Sequence, residues 1–474
     1  LILLQPNLYK MSNQKNVNSL TAGGVLVSLG IVFGDIGTSP LYTLKAIFKT
    51  VVDNGQTINS DLVLGALSCV IWTLTLQTTI KYVVIILRAD NKGEGGIFSL
   101  FSLVRKKAKW LVIPAIIGGA ALLADGMITP SITVTSAIEG LHVVFPQVQV
   151  LPIVIAIISF LFIIQQFGTN LVGKLFGPIM FIWFTALGVS GLLQIALDPS
   201  IFKALNPYYA IHLLSTNPAA LVILGGVFLC TTGAEALYSD LGHCGKKNIR
   251  ISWIFVKLML IFNYLGQGVW ILKNPSYNPH NALTNPFFQL VPENLVLYMV
   301  ILATMAAIIA SQAMISGSFT LISEAVRLNL WPKVRINYPS VQKGQLYVPS
   351  INWLLCIGCI IIVLIFKKSD NMEGAYGLAI NLTFLMTTVL IVMYMIRKQF
   401  PKYFIILFAT IYATIELSFL VGNMAKFIHG GWVTLLISCA LLSIMWSWYT
   451  ARKIKNRFVK YVDIEDYYQI ISEL

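Results

Sequence analysis

Twelve long apolar stretches follow one another along this 474-residue chain, with only short polar connections between them. A helix of about 20 apolar residues crosses a bilayer, and here 57% of residues are hydrophobic and only 11% charged. The sequence therefore predicts an all-α integral membrane protein with twelve transmembrane helices. The predicted spans are 20–51, 61–87, 110–138, 149–167, 170–197, 217–241, 248–272, 294–328, 348–366, 373–396, 402–423 and 431–450.

The first span is interrupted near its middle by the segment Gly-Asp-Ile-Gly-Thr-Ser-Pro-Leu-Tyr-Thr at residues 34–43. Irregular backbone at this depth is tolerated only where it is buried in protein or lines a cavity. The pattern Gly-x-x-x-Leu-Tyr of residues 37–42 recurs at residues 233–238, in the sixth span. Two interrupted spans in matching positions of two halves are typical of the binding site of a secondary transporter.

The offset of 196 residues between the two breaks divides the spans into five, five and two. Because five is odd, the second set must insert upside down relative to the first, which predicts an inverted repeat with broken helices 1 and 6. We expect an N-terminal segment, two five-helix repeats, two extra helices and the start of a C-terminal region; residues 1–10, ahead of Met11, are set aside. The respective bounds are 1–19, 20–200, 217–396, 402–450 and 451–474.

Basic residues are concentrated on one side of this topology. The N-terminus, the loops after even-numbered spans and the C-terminal tail hold 24 of the 33 Lys and Arg residues, and the opposite loops hold seven. Since cytoplasmic loops carry the excess of positive charge, we expect both termini in the cytoplasm and the protein in the cytoplasmic membrane. The net charge of +14 is thus explained by topology and lipid contacts, and no nucleic-acid binding is expected.

Three carboxylates lie near the middle of predicted spans: Asp35 in span 1, Asp125 in span 3 and Glu235 in span 6. An ionisable residue at this depth marks a functional site by default. Its partner is either a buried lysine, of which only Lys81 and Lys257 are expected deep inside the membrane, or a cation held in a cavity. The oxygen-bearing side chains near the three carboxylates are Thr38, Ser39, Tyr42, Thr129, Thr133, Thr231, Thr232 and Tyr238.

These neighbours indicate the kind of ion. Asp125, Thr129 and Thr133 are spaced four residues apart and share one helix face. Oxygen-only surroundings favour hard cations over soft transition metals, and a flexible set with few charges suits a monovalent ion better than Mg²⁺. Burial favours the protonated carboxyl and a bound cation favours the carboxylate. Glu235 and Asp125, with Asp35 as a third candidate, therefore qualify for proton coupling, and the sequence does not choose among them.

Several sequence blocks resemble the signatures of the Kup (KUP/HAK/KT) potassium-uptake family. These blocks are residues 34–43, 88–96, 125–131, 136–140, 235–243, 263–268, 310–317 and 375–379. The resemblance spans essentially the whole membrane region. It implies K⁺/H⁺ symport on a LeuT-like 5+5 scaffold, with K⁺ and H⁺ as the transported species and no cofactor. It also implies a cytoplasmic C-terminal domain, of which this chain would hold only the beginning.

By position, the resemblance further implies which side chains contact K⁺. These are Asp35, Tyr42, Asp125, Thr129, Thr133, Thr232, Glu235 and Tyr376. Tyr376 is selected by the resemblance alone, whereas the other seven also follow from their place beside the breaks or on span 3.

Two other transport functions stay open at this point: an amino-acid or polyamine permease on the same scaffold, and a passive K⁺ channel. In a permease the break of span 1 offers free amides to a substrate carboxylate, which Asp35 would repel. The sequence lacks the Thr-Val-Gly-Tyr-Gly filter of K⁺ channels. It also shows no nucleophile–base pair, metal cluster or nucleotide motif, so no enzyme is expected. Glu416 lies outside both repeats and is expected to be structural; a homodimer is left open.

Overall fold

The computed structural model describes residues 19–167, 170–338 and 346–459. Within these ranges the regular structure is helical, apart from two isolated β-bridges, Asn91 with Glu94 and Asn337 with Tyr347. Eleven helices are long and apolar enough to cross a membrane, and one bent pair of shorter helices brings the number of spans to as many as twelve. The predicted all-α fold with twelve spans is therefore confirmed.

Each span lies at or near its predicted place. Span 1 consists of the bent pair Ala22–Val32 and Gly34–Leu41, followed by the helix Thr43–Asp53. Spans 2 to 12 are Ser60–Arg88, Lys109–Val144, Val150–Phe167, Leu175–Ile195, Ala220–Ser239, Lys246–Lys273, Glu293–Arg327, Pro349–Phe366, Ser369–Arg397, Lys402–Met424 and Trp432–Phe458. We call the side of the molecule that holds residues 89–108 the basic face, and the side that holds residues 54–59 the opposite face.

Span 1 is broken at Phe33, where the chain bends by 66°. Phe33 leaves the helical region (φ −105°, ψ 13°). After Thr38 the chain tightens into a 3-10 turn that contains Pro40, a residue without a backbone N–H to donate. Tyr42 (φ −132°, ψ −22°) separates this turn from the helix Thr43–Asp53. The break therefore covers the segment that the sequence marks.

Span 6 is broken at Thr232 and Gly233. The helix Ala220–Val227 runs into a 3-10 turn, and Thr232 is then extended with ψ 144°. Gly233 has φ +85°, in the left-handed region that glycine adopts without steric cost. The short helix Ala234–Ser239 follows. Both predicted interruptions, in spans 1 and 6, are present.

Span 3 lies at the centre of the molecule, and spans 11 and 12 lie at its edge. In span 3, 89% of the apolar window is buried inside the protein, against 22% in span 11 and 28% in span 12. Span 3 packs against spans 8, 9, 10 and 12, and span 5 packs against spans 1 and 7. The broken part of span 1 contacts spans 3 and 8, so other helices shield it from lipid, as irregular backbone requires.

Two shorter helices connect spans. Ile97–Val104 follows a glycine-rich turn and buries most of its side chains against spans 3 and 10. Pro207–Thr216 begins at the side-chain cap of Asn206 and packs on span 2. The division into two five-helix repeats stays a prediction. Residues 1–18 of the N-terminal segment and 460–474 of the C-terminal region lie outside the described residues, and 451–458 continue span 12.

Candidate functional site

The two helix breaks touch each other. Gly233 lies so close to span 1 that a Cβ atom there would be 2.8 Å from the amide nitrogen of Ile36 and 3.2 Å from Oδ2 of Asp35. Glycine is required here both for its positive φ and for this close approach. The unwound backbone of span 6 therefore adjoins the carboxylate of span 1.

Side chains from other elements stabilise the break of span 1. Carbonyl groups at a helix break lose their helical donors and must be satisfied elsewhere. Trp183 of span 5, Gln267 of span 7 and Asn285 of the next loop supply these donors. None of the three was predicted as a site residue, and only Gln267 lies in a family block, residues 263–268. The bonds run from Trp183 Nε1 to the carbonyl of Gly37 (2.9 Å), from Gln267 Nε2 to that of Pro40 (3.1 Å) and from Asn285 Nδ2 to that of Leu41 (3.0 Å).

Asp35 is hydrogen-bonded through one oxygen only. Its Oδ1 accepts a bond of 2.7 Å from the hydroxyl of Tyr376 in span 10, whereas no described residue donates to the buried Oδ2. Nearby, the hydroxyl of Thr232 lies 2.8 Å from that of Ser39 and 3.4 Å from that of Tyr42. The rings of Tyr42 and Tyr376 meet edge to face, with centroids 6.1 Å apart. The structure thus brings together four of the residues expected to contact K⁺, namely Asp35, Tyr42, Thr232 and Tyr376, together with Ser39.

Asp125 adds a second buried carboxylate from span 3. Its Oδ1 accepts a hydrogen bond of 2.9 Å from the hydroxyl of Thr129, and it lies close enough to Asp35 for the two charges to act on each other. Thr133, one turn further along the helix, donates to the carbonyl of Thr129 at 2.7 Å. A threonine hydroxyl that donates to its own helix keeps its lone pairs as acceptors. Asp125 and Thr129 therefore join the Asp35 site, and Thr133 lies beyond them toward the opposite face.

The two carboxylates of this site lack a basic partner. Four ion pairs form among the described residues, and none of the four includes Asp35 or Asp125. A buried carboxylate without a cationic partner is costly. The site is therefore one that a cation would complete.

Glu235 belongs to a separate hydrogen-bonded cluster. Its Oε2 accepts from the hydroxyl of Tyr82 in span 2, and its Oε1 accepts from the hydroxyl of Thr387 in span 10 at 2.9 Å. Both oxygens are thus engaged by groups outside the Asp35 site. Tyr82 and Thr387 were not singled out in the sequence, because nothing in their local pattern distinguishes them from packing residues.

A fully buried ion pair, Lys81 with Glu416, lies beside the Glu235 cluster. Lys81 also donates to the carbonyl of Phe384 at 3.3 Å, and Glu416 accepts from Gln77 at 2.8 Å and from Thr388 at 2.8 Å. The charge of Glu416 is therefore compensated within the protein, in agreement with the structural role expected for it.

Polar contacts also join the ends of spans 1, 3 and 10 toward the opposite face. Lys45 Nζ, in the outer helix of span 1, lies 2.8 Å from Oδ1 of Asp370 at the start of span 10. Glu139, near the end of span 3, accepts hydrogen bonds from the amide of Ser369 (2.8 Å) and from its hydroxyl. These contacts connect the segments that cover the Asp35 site on that side.

Fold and site together define the class: a multi-pass α-helical membrane protein built around a polar site at the contact of two helix breaks. A family model described as "K+ potassium transporter integral membrane domain" matches residues 22–453. The chain belongs to this family, and the resemblance to Kup proteins seen in the sequence is confirmed.

Three relatives illustrate the similarity, each bearing the name "Probable potassium transport system protein Kup". The protein from Cytophaga hutchinsonii is 60% identical over 461 residues, covering 96% of this chain and 69% of the relative. The one from Flavobacterium johnsoniae is 56% identical, covering 98% and 71%. The one from Clostridium perfringens is 50% identical, covering 98% and 72%.

Solved structures with a similar backbone arrangement share much less sequence identity with this chain. A Na⁺-coupled sialic acid symporter is 13% identical and covers 87% of this chain and 90% of its own, with a TM-score of 0.46. The manganese transporter of Eremococcus coleocola is also 13% identical and covers 92% and 94%, with a TM-score of 0.43. Neither likeness is strong enough to assign a function to this chain.

Proposed function

We propose that this protein takes up K⁺ across the cytoplasmic membrane and couples K⁺ entry to proton entry. The observation that carries the proposal is the buried Oδ2 of Asp35, which no described residue satisfies, at the contact of two helix breaks. The names of the relatives supply the identity of the ion.

In this proposal K⁺ exchanges its hydration shell for protein oxygens between the two breaks. Asp35 and Asp125 supply charge, and Tyr42, Thr129 and Thr232 supply neutral oxygens, which is the donor type that hard monovalent cations prefer. Two carboxylates without a basic partner favour a cation over an anionic substrate. Of the remaining expected contacts, Tyr376 orients Asp35, and Thr133 lies beyond Thr129 toward the opposite face. Glu235 is assigned to the proton instead.

The proton is assigned to Glu235 ahead of Asp125 and Asp35. Symport requires the ion and the proton to be bound at the same time, so they must occupy different groups. A proton that competed with K⁺ for Asp35 or Asp125 would instead produce exchange of the two. Glu235 has its own hydrogen-bonded cluster with Tyr82 and Thr387, and it can therefore be protonated while K⁺ occupies the Asp35 site.

Transport then follows alternating access, with the basic face in the cytoplasm. The contacts of Lys45 with Asp370 and of Glu139 with Ser369 close the external side. They must separate for external K⁺ to enter, and the broken spans supply the joints about which the helices move.

K⁺ transport by purified protein in proteoliposomes, with and without an imposed pH gradient, tests the proposal. K⁺ influx should accelerate when the outside is more acidic and slow when a proton carrier collapses the gradient. Amino-acid uptake that does not depend on K⁺ would favour a permease, and K⁺ currents too large for a carrier would favour a channel. A K⁺ flux that does not respond to the pH gradient would refute the coupling to protons but not the transport of K⁺.

The variant Glu235→Gln separates the two sites. It should retain K⁺/K⁺ exchange, which needs no net proton movement, and lose acceleration by the pH gradient. The matched control is Asp61→Asn, an exposed carboxylate at the start of span 2. If uptake by Glu235→Gln is still accelerated by the pH gradient, the coupled proton is assigned to Asp125 or Asp35 instead.

A further inference from the structure

A small cavity of about 20 Å³, which is room for about one water-sized particle, lies between spans 3, 6 and 8, on the basic-face side of the central site. Leu122, one turn before Asp125 on span 3, forms part of its wall. Asp240, which directly follows span 6, and Gly317 and Ser318 of span 8 form other parts. The cavity therefore begins close to the central site and has a carboxylate in its wall.

Asp240 is the unusual group in this cavity. Its side chain is only 7% exposed, and no described residue donates a hydrogen bond to its carboxylate. Burial raises the pKa of Asp240 to about 8, and two titratable groups, the imidazole of His243 and the buried thiol of Cys244, lie one helical turn further along the chain. The last carbonyls of the preceding helix add partial negative charge at the same place. A buried carboxyl in such surroundings is either protonated or paired with a cation, and the small cavity beside it has room for one cation without its hydration shell.

A narrow contact separates the cavity from the central site. A Cβ atom at Gly126 would lie 2.5 Å from Oγ of Ser318, so spans 3 and 8 touch there. At Gly317, by contrast, a Cβ atom would meet nothing within 4 Å, because this position opens onto the cavity. The close contact lies between the central site and the cavity. This arrangement is expected of an ion path that is closed on the basic-face side of the central site.

We propose that this cavity is an inner release chamber, in which Asp240 binds the transported monovalent cation after it leaves the central site and before it reaches the cytoplasm. The proposal rests on the proposed K⁺ transport and adds to it a second cation site. The alternative is an apolar packing void beside a protonated Asp240 that binds no cation, and the two tests below distinguish it from a cation site.

The first test measures K⁺ binding from each side separately, in membrane vesicles of opposite orientation. Asp240→Asn should raise the half-saturating K⁺ concentration on the basic face by about tenfold, since one charge is lost at a partly solvated site. The value on the opposite face should stay close to that of the parent, because Asp35 and Asp125 are unchanged. Asp61→Asn serves as the control for an exposed carboxylate.

The second test fills the cavity. Gly317→Ala adds one methyl group where a Cβ atom meets nothing within 4 Å, so the variant should fold and unfold at a temperature close to that of the parent. Its maximal uptake rate should fall by about tenfold or more, because the methyl group takes the space of the one cation that the cavity admits. The control is Gly23→Ala, an exposed helix position where a Cβ atom also meets nothing within 4 Å.

The outcomes are separable from those of the proposed function. A parent protein that does not transport K⁺ would refute the proposed function itself. If the parent transports K⁺ and Gly317→Ala is equally fast, or Asp240→Asn leaves both half-saturation values unchanged, the release chamber is refuted. If Asp240→Asn alters only the pH dependence of transport, Asp240 carries a proton and the cation site is refuted.

Discussion

Asp35→Asn is the most direct test of the central site. The amide keeps the shape of the side chain and removes its charge. Two unit charges 4 Å apart interact by about 4 kcal/mol at an effective dielectric constant of about 20. The loss therefore weakens K⁺ binding by about a thousandfold. Tyr376→Phe removes one hydrogen bond to a charged group, worth about 1.5–3 kcal/mol, so its effect should be smaller.

The assay is the K⁺-dependent shift in thermal unfolding of the purified protein in detergent. K⁺ at 100 times its dissociation constant stabilises the parent by about 2.7 kcal/mol. At the same concentration a site weakened about a thousandfold gains less than about 0.1 kcal/mol. Without K⁺, Asp35→Asn should be as stable as the parent or more stable, because the replaced carboxylate has no basic partner.

Two results would refute this reasoning. One is an Asp35→Asn variant that still gains stability from K⁺ as the parent does. The other is a variant that unfolds more easily than the parent in the absence of K⁺, which would show that the carboxylate of Asp35 is compensated within the protein. Na⁺ at equal concentration controls for ionic strength.

Three further predictions follow from the buried charges. Lys81→Met leaves Glu416 unpaired and should lower the free energy of unfolding by about 3–5 kcal/mol. Thermal unfolding of the double variant Lys81→Met, Glu416→Gln should show that most of this loss is recovered, and no recovery would contradict the pairing. Lys45→Met removes the ion pair with Asp370 and should favour the externally open state. The expected result is tighter external K⁺ binding and slower maximal uptake, and unchanged kinetics would exclude this contact as a gate. Burial raises the pKa of Asp240 to about 8, so this carboxyl is about one-tenth ionised at pH 7 and about nine-tenths ionised at pH 9. K⁺ binding from the cytoplasmic side should therefore tighten by up to about tenfold between about pH 7 and pH 9. The variant Asp240→Asn must abolish this pH dependence.

The positions of the spans and of both breaks were predictable because they depend on local chemistry. Apolar length fixes a membrane helix, and Pro40 together with Gly34 and Gly37 marks the place in span 1 where a continuous helix is most costly. Gly233 marks the corresponding place in span 6. Asp35 and Asp125 were likewise evident, since a carboxylate at this depth requires an explanation.

The partners of these groups were not predictable, because they depend on which helices become neighbours. Lys81 and Glu416 are 335 positions apart in the chain, and no periodicity connects them. The sequence placed Glu235 with Asp35 because both follow a break. The rotation of the helix after Gly233 instead directs Glu235 to Tyr82 and Thr387.

That rotation places three proposed functions on one short segment of the chain. Thr232 contacts the Asp35 site, Glu235 is engaged in its own cluster and Asp240 lines the inner cavity. All three lie within nine consecutive residues around Gly233, whose left-handed backbone links the unwound part of span 6 to its last helix. A tilt of that helix about Gly233 moves the proposed proton site and the proposed release site together relative to the ion site. Coupling of proton and ion therefore needs no long-range pathway, because the groups involved share one short helix and the joint at its start.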